Sequence, residues 1–144
     1  MNITYTNTIA PDEFNALRDS AGWGILEHEL AAKCIENSAY VICAKDGENS
    51  IGMARIITDY GYVVYIADVV VLPEYQGKGI GGELMTRVMA YIDDIITTGR
   101  KYVVLMAAKG KEEFYEKYGF MKRPTDSHGC GMTLWIEKKD TCSG

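Results

Sequence analysis

No stretch of this 144-residue chain approaches the ~20 uninterrupted apolar residues that a membrane-spanning helix requires, so no span is expected. The opening Met1-Asn2-Ile3-Thr4-Tyr5-Thr6 lacks a basic segment followed by an apolar core, so no secretory leader is read there and a cytoplasmic location is expected. Basic residues are in deficit, 15 against 20 acidic ones, and the net charge of −5 is spread without long blocks. That balance argues against nucleic acid as a partner and leaves only a local basic patch open. Metal-site spacing is missing too: His28 and His128 lie far apart, and Cys34, Cys43, Cys130 and Cys142 include no C-x-x-C pair. No metal is expected, and the cysteines read as reduced thiols that pack as small apolar groups. Without an internal repeat or low-complexity linker, the chain reads as one domain over residues 1–139 with a polar tail at 140–144.

What is present is a regular succession of periodic segments. Residues 2–6 read as a short strand, and Pro11 with Asp12 and Glu13 marks the start of a helix ending near Ser20. Helical spacing resumes at Ile25, Leu26, Glu29, Leu30, Lys33 and Cys34. Residues 39–45, 50–58 and 62–72 read as an antiparallel meander, and the last is apolar on both alternations, as in a central strand covered on both faces. Asp68 is the exception within it. A helix follows from Ile80, stopped by Gly99, then a buried-type strand at 101–108, which implies a parallel right-handed crossover. A short helix at 111–118, strand starts at 120–123 and a closing strand at 131–138 complete the order.

The densest signal is Gln76-Gly77-Lys78-Gly79-Ile80-Gly81-Gly82, with four glycines in six residues between strand and helix. Without Cβ atoms the backbone N–H groups can converge on an anion, and the helix start adds its positive dipole end, so a phosphate ligand is expected. Read literally, Gly77-x-Gly79-x-x-Gly82 satisfies a dinucleotide fingerprint. Its context does not: Pro73-Glu74-Tyr75-Gln76 intervenes after the strand, and the next strand ends without a carboxylate for a ribose. A P-loop needs Ser or Thr after its lysine, and Lys78 is followed by Gly79.

The segment also fits Gln/Arg-x-x-Gly-x-Gly/Ala as Gln76-x-x-Gly79-x-Gly81, and VVVLPEYQGKGIGGELM resembles the GNAT superfamily of N-acetyltransferases. Phe114-Tyr115-Glu116-Lys117-Tyr118-Gly119-Phe120 resembles that family's FYxKxGF signature. The resemblance covers nearly the whole chain, weakly before about residue 38 and strongly from Asp68 to Phe120. It implies an α/β (α+β) domain: a mixed, mostly antiparallel sheet of six to seven strands flanked by about four helices. It implies acetyl-coenzyme A as cosubstrate and an amine of a small molecule or protein as acceptor. Its pyrophosphate would lie on Gln76, Gly77, Lys78, Gly79, Ile80, Gly81 and Gly82, and its pantetheine arm along Val69, Val70 and Val71.

Acetyl transfer needs a deprotonated amine, a polarised thioester carbonyl and a proton for the departing thiolate. By resemblance Tyr115 is the proton donor; otherwise it is an aromatic packed under a short helix. Asp68 is the candidate base, because an acid in an apolar strand must justify its desolvation; a carboxylate paired with a basic neighbour is the alternative. Many members of the family deprotonate the amine through water, so no dedicated base is required. The oxyanion donor would be a backbone N–H near Val70. Trp23 is either a wall of the acceptor pocket or a core aromatic, and His128 either a substrate contact or an ordinary loop histidine. Cys130 is not expected to form an acyl intermediate. Met132-Thr133-Leu134-Trp135-Ile136 fits a homodimer contact or an internal strand equally well. A non-catalytic acyl-coenzyme A-binding or sensing domain, and a misread nucleotide-binding domain, are the competing readings.

Overall fold

The computed structural model describes residues 1–138; the expected tail at 140–144, with Cys142, lies outside them. The chain forms two compact units, one of residues 1–105 and one beginning at Met106. The first contains β1 (Ile3–Thr6), α1 (Pro11–Ser20), α2 (His28–Glu36), β2 (Tyr40–Asp46), β3 (Asn49–Thr58), β4 (Val63–Val71), a 3-10 turn (Pro73–Tyr75), α3 (Ile80–Ile95) and β5 (Tyr102–Leu105). The strands lie in the order β1-β2-β3-β4-β5, antiparallel except for the parallel β4–β5 pair. The meander and the crossover follow the hydrophobic periods, and β4 is interior as its two-sided apolar pattern requires.

Local chemistry fixes the joints. Pro11 opens α1, and the Glu13 carboxylate accepts the Ala10 N–H at 3.2 Å, closing the helix start from within. The β3–β4 turn is organised by Asp59, whose Oδ1 accepts N–H bonds from Gly61, Tyr62 and Val63. α1 places Phe14 and Leu17 against Met53 and Val70 in one buried cluster. α3 buries Ile80, Leu84, Met85, Val88 and Ile92. Gly52 marks the approach of α3, since a Cβ there would lie 3.1 Å from the Val70 carbonyl oxygen and 3.4 Å from the Leu84 side chain. Met53 and Gly52 point to opposite faces of β3, so α1 and α3 cover the two sides of the sheet.

Glu13 also ties α1 to the sheet: Ser50 Oγ donates to its carboxylate and Lys45 Nζ lies 3.6 Å away. The Ser50 bond holds the Glu13 carboxyl below the ordinary glutamate range. A carboxyl with a depressed folded-state value contributes stability above the ordinary value and loses it as pH falls through the folded one. Ser50→Ala is therefore expected to lower stability at neutral pH by about 1 kcal/mol and to flatten the acid-side loss. Unfolding midpoints followed from about pH 7 to about pH 3 check this.

Several expected boundaries shift. The second helix starts at His28, with Ile25 exposed ahead of it. α3 ends at Ile95 rather than running to Gly99, because Ile96-Thr97-Thr98 extends a β-branched run that lowers helix propensity. β5 spans Tyr102–Leu105 only.

The second unit holds α4 (Glu112–Glu116), after which Gly119 turns the chain at φ 95°. The strands expected at 120–123 and 131–138 are absent from the described residues, so the sheet has five strands instead of six to seven. Apolar patterning supplies a face for a strand, not a neighbour to pair with. Met132, Leu134, Trp135 and Ile136 are accordingly exposed at 92, 81, 89 and 74%.

Candidate active site

The centre of the site is an irregularity in β4. Arg55 pairs with Ala67 and Met53 with Val70, so Asp68 and Val69 together stand opposite the single residue Ala54. This bulge contains Asp68 in the left-handed region, at φ 52°. On the other side of β4, pairing with β5 runs from Val63–Tyr102 to Ile66–Leu105. Val69, Val70 and Val71 therefore lie beyond the last β4–β5 pair, where the strand can offer backbone groups to something other than β5.

From Val71 the chain leads directly into the glycine loop. Leu72 N–H bonds to the Ile51 carbonyl at 2.8 Å, and Gln76 Nε2 reaches back to the Val71 carbonyl at 2.9 Å. The Tyr75 hydroxyl donates to Asp46 Oδ2 at 2.7 Å and anchors the turn to β2. Gly77 and Gly79 have φ of 77° and 84°, and a Cβ at either would meet nothing within 4 Å. Glycine is needed there for conformation, and the space in front is open. Gly79 caps α3 without a side-chain acceptor, so the 16-residue helix presents its positive end without an internal counter-charge from its cap. Ile80, 4% exposed, pins this end to the core, whereas Lys78 is exposed in the loop. Uncapped helix, left-handed glycines and open space suit a diphosphate.

Asp68 meets two arginines that sequence patterning does not single out. Arg18 Nη1 lies 3.1 Å from Asp68 Oδ1, and Arg55 Nε lies 2.5 Å from Oδ2. Arg18 Nη2 donates to the Trp23 carbonyl at 3.2 Å, and Arg55 Nη1 to Ser38 Oγ at 3.3 Å and the Cys34 carbonyl at 3.5 Å. Both guanidiniums lie over the Phe14 ring, at 5.9 and 5.8 Å from its centroid. Trp23 is half-exposed, its ring 6.0 Å from the Arg18 guanidinium, so the structure brings it and Asp68 together around one side chain. One signal does point to Arg55: an arginine within the otherwise apolar IGMARIIT strand faces the next strand, which carries its own lone acid.

Tyr115 and His128 belong to the second unit. Tyr115, 8% exposed, packs edge-to-face with Phe114 at 5.0 Å and with Phe120 at 6.3 Å. Burial pushes its phenol up to about 12, so it keeps its proton at neutral pH. His128 is exposed in a turn closed by the Thr125 N–H on its carbonyl at 2.8 Å, with Nδ1 2.9 Å from Thr125 Oγ1 and 3.1 Å from Ser127 Oγ. No cluster of three or more potential metal ligands occurs among the described residues. Among them, no helix is long and apolar enough to cross a membrane.

Residues 37–122 match the family model described as the acetyltransferase (GNAT) domain, and the chain belongs to that family. A protein of Pyropia yezoensis described as the uncharacterized N-acetyltransferase ycf52 is 30% identical over 122 residues, covering 81% of this chain and 68% of its own. A Staphylococcus aureus structure described as a protein of unknown function and probable acetyltransferase superposes with a TM-score of 0.85 at 32% identity, covering 94% of this chain and all of its own. The chloroplastic GCN5-related N-acetyltransferase 2 of Arabidopsis thaliana is 33% identical over 98 residues, which is 65% of this chain and 36% of that protein. The fold is the GNAT fold, a mixed α/β sheet; the family match begins at residue 37, after α1 and α2.

Proposed function

We propose that the protein is an acetyl-coenzyme A-dependent N-acetyltransferase that passes the acetyl group directly to a primary amine of a small molecule or a protein. The observation that carries this reading is continuity. The stretch of β4 at Val69, Val70 and Val71, which lies beyond the last pair with β5, runs through one short turn into the glycine loop and the uncapped start of α3. Amide groups of a pantetheine arm suit the strand, and a pyrophosphate suits Gln76, Gly77, Lys78, Gly79, Ile80, Gly81 and Gly82.

When bound, acetyl-coenzyme A supplies an activated thioester. A backbone N–H near Val70 steadies the carbonyl oxygen as the acceptor nitrogen adds to the carbonyl carbon and the C–S bond breaks. Tyr115 hands its phenolic proton to the departing sulfur, and the proton shed by the nitrogen that has added to the carbonyl passes through water and restores the phenol. Asp68, with a guanidinium donor on each oxygen, shapes the site instead of removing that proton. Trp23 and His128 are assigned to the acceptor side, and the cytoplasm to the protein. The exposed segment Met132-Thr133-Leu134-Trp135-Ile136 is assigned to a homodimer contact.

Calorimetric titration with coenzyme A and with NAD, followed by thiol release from acetyl-coenzyme A over a panel of amines, tests the proposal. Coenzyme A binding with amine-dependent thiol release is expected. Preference for NAD would overturn it, and coenzyme binding without release on any amine would leave an acyl-coenzyme A-binding domain.

A further inference from the structure

Asp68 holds a left-handed backbone conformation in the middle of a strand, a strained state for a non-glycine residue that persists only where its surroundings impose it. Those surroundings are two guanidiniums from different elements, Arg18 in the last turn of α1 and Arg55 on β3, one to each carboxylate oxygen. The three side chains are 16, 13 and 11% exposed for Arg18, Arg55 and Asp68. Each arginine is held in turn: Arg18 by the Trp23 carbonyl, Arg55 by the Cys34 carbonyl and Ser38 Oγ. The result is a clasp that fastens the β4 bulge to the chain just after α1 and to the C-terminal end of α2 and the turn after it.

We infer that Arg18 and Arg55 are positioning residues: by gripping Asp68 they lock the bulge of β4 and so fix the direction in which the bulge residue Val69 presents its backbone N–H to the acyl carbonyl. The inference rests on the acetyltransferase reading above. Stabilisation of an oxyanion depends on donors fixed before the reaction, so a loosened bulge lowers turnover without removing any group that touches substrate. It also ties the bulge to the elements that precede the family match, the side on which acceptor recognition is placed. A ligand that shifts α1 would act on the bulge through Arg18.

Arg18→Met and Arg55→Met remove one grip each and leave a one-to-one ion pair, whereas removing the carboxylate would leave two facing cations. Arg18→Lys and Arg55→Lys keep the charge and lose the fork. For the methionine variants, kcat is expected to fall about 10- to 100-fold, with KM for acetyl-coenzyme A within about threefold of wild type. The lysine variants should recover part of that loss and provide folded proteins should the methionine variants not fold. Hydrogen–deuterium exchange at residues 67–71 should quicken in the methionine variants, and in the lysine variants to a smaller extent, measured with no substrate present. Unchanged kcat in folded arginine variants, or exchange no faster than wild type, would each overturn the inference. Absence of transfer by the wild-type protein would instead remove the acetyltransferase reading, while the exchange rates would still decide whether the clasp holds the bulge.

Discussion

Replacing Tyr115 by phenylalanine is expected to lower kcat by about two orders of magnitude while coenzyme A affinity stays within about twofold, as for loss of a positioned general acid. The substitution deletes one oxygen and keeps the ring, so the edge-to-face contacts with Phe114 and Phe120 survive. Lost turnover therefore reports the proton, not the packing. Because burial raises the phenol to about 12, Tyr115 keeps its proton near neutral pH and should add no limb to the rate profile there. The same burial has a sign at high pH: between the ordinary tyrosine value of about 10 and the folded value, the unfolded chain gives up this proton first. Stability should fall with rising pH over that window, and less steeply in Tyr115→Phe. Steady-state kinetics, calorimetry and alkaline unfolding curves check the three statements, and an unchanged kcat would take Tyr115 out of the mechanism.

The second large effect is expected at Gly79. At φ 84°, with no atom within 4 Å of the place a Cβ would take, Gly79→Ala meets no clash, so its cost to the fold is backbone strain of about 1 kcal/mol. The added methyl, however, projects into the space from which a diphosphate would approach the start of α3. Coenzyme A affinity is expected to fall at least about tenfold, more than strain alone explains. Gly47→Ala provides the control: Gly47 also has positive φ, 61°, in open space, but sits in the β2–β3 turn. It should lose similar stability and bind coenzyme normally. Equal losses of affinity in the two variants would detach the glycine loop from phosphate binding.

The glycine loop is legible in the sequence because several signals coincide there: an apolar strand ends, glycines cluster and helical spacing begins within a dozen or so residues. The helices and the meander are legible for a related reason, since each carries its period locally. The bulge in β4 is not. A register shift of one residue changes pairing without changing composition, and only the acid at position 68 hints at it. Its partners stand 50 and 13 residues away, so local periodicity cannot assign them. The apolar run near the C-terminus reads as a strand because it has the residues of one, but strand formation is a property of two segments. Acceptor chemistry is the least legible part, because it is assigned to segments with neither a repeated period nor a recognisable motif.

The bulge makes the length of β4 as consequential as its side chains. Along a strand, neighbouring residues alternate between faces, and Asp68 with Val69 occupies the place of one residue opposite Ala54. Removing a residue at this point would restore regular pairing with Val70 still opposite Met53, and would erase the bulge that holds Asp68 against Arg18 and Arg55. Adding one would displace the glycine loop from the strand that feeds it. The interval from Ala67 to Pro73 thus acts as a ruler: residues within it can be exchanged for others of similar shape, whereas a change in their number would either straighten the strand at the bulge or displace the glycine loop.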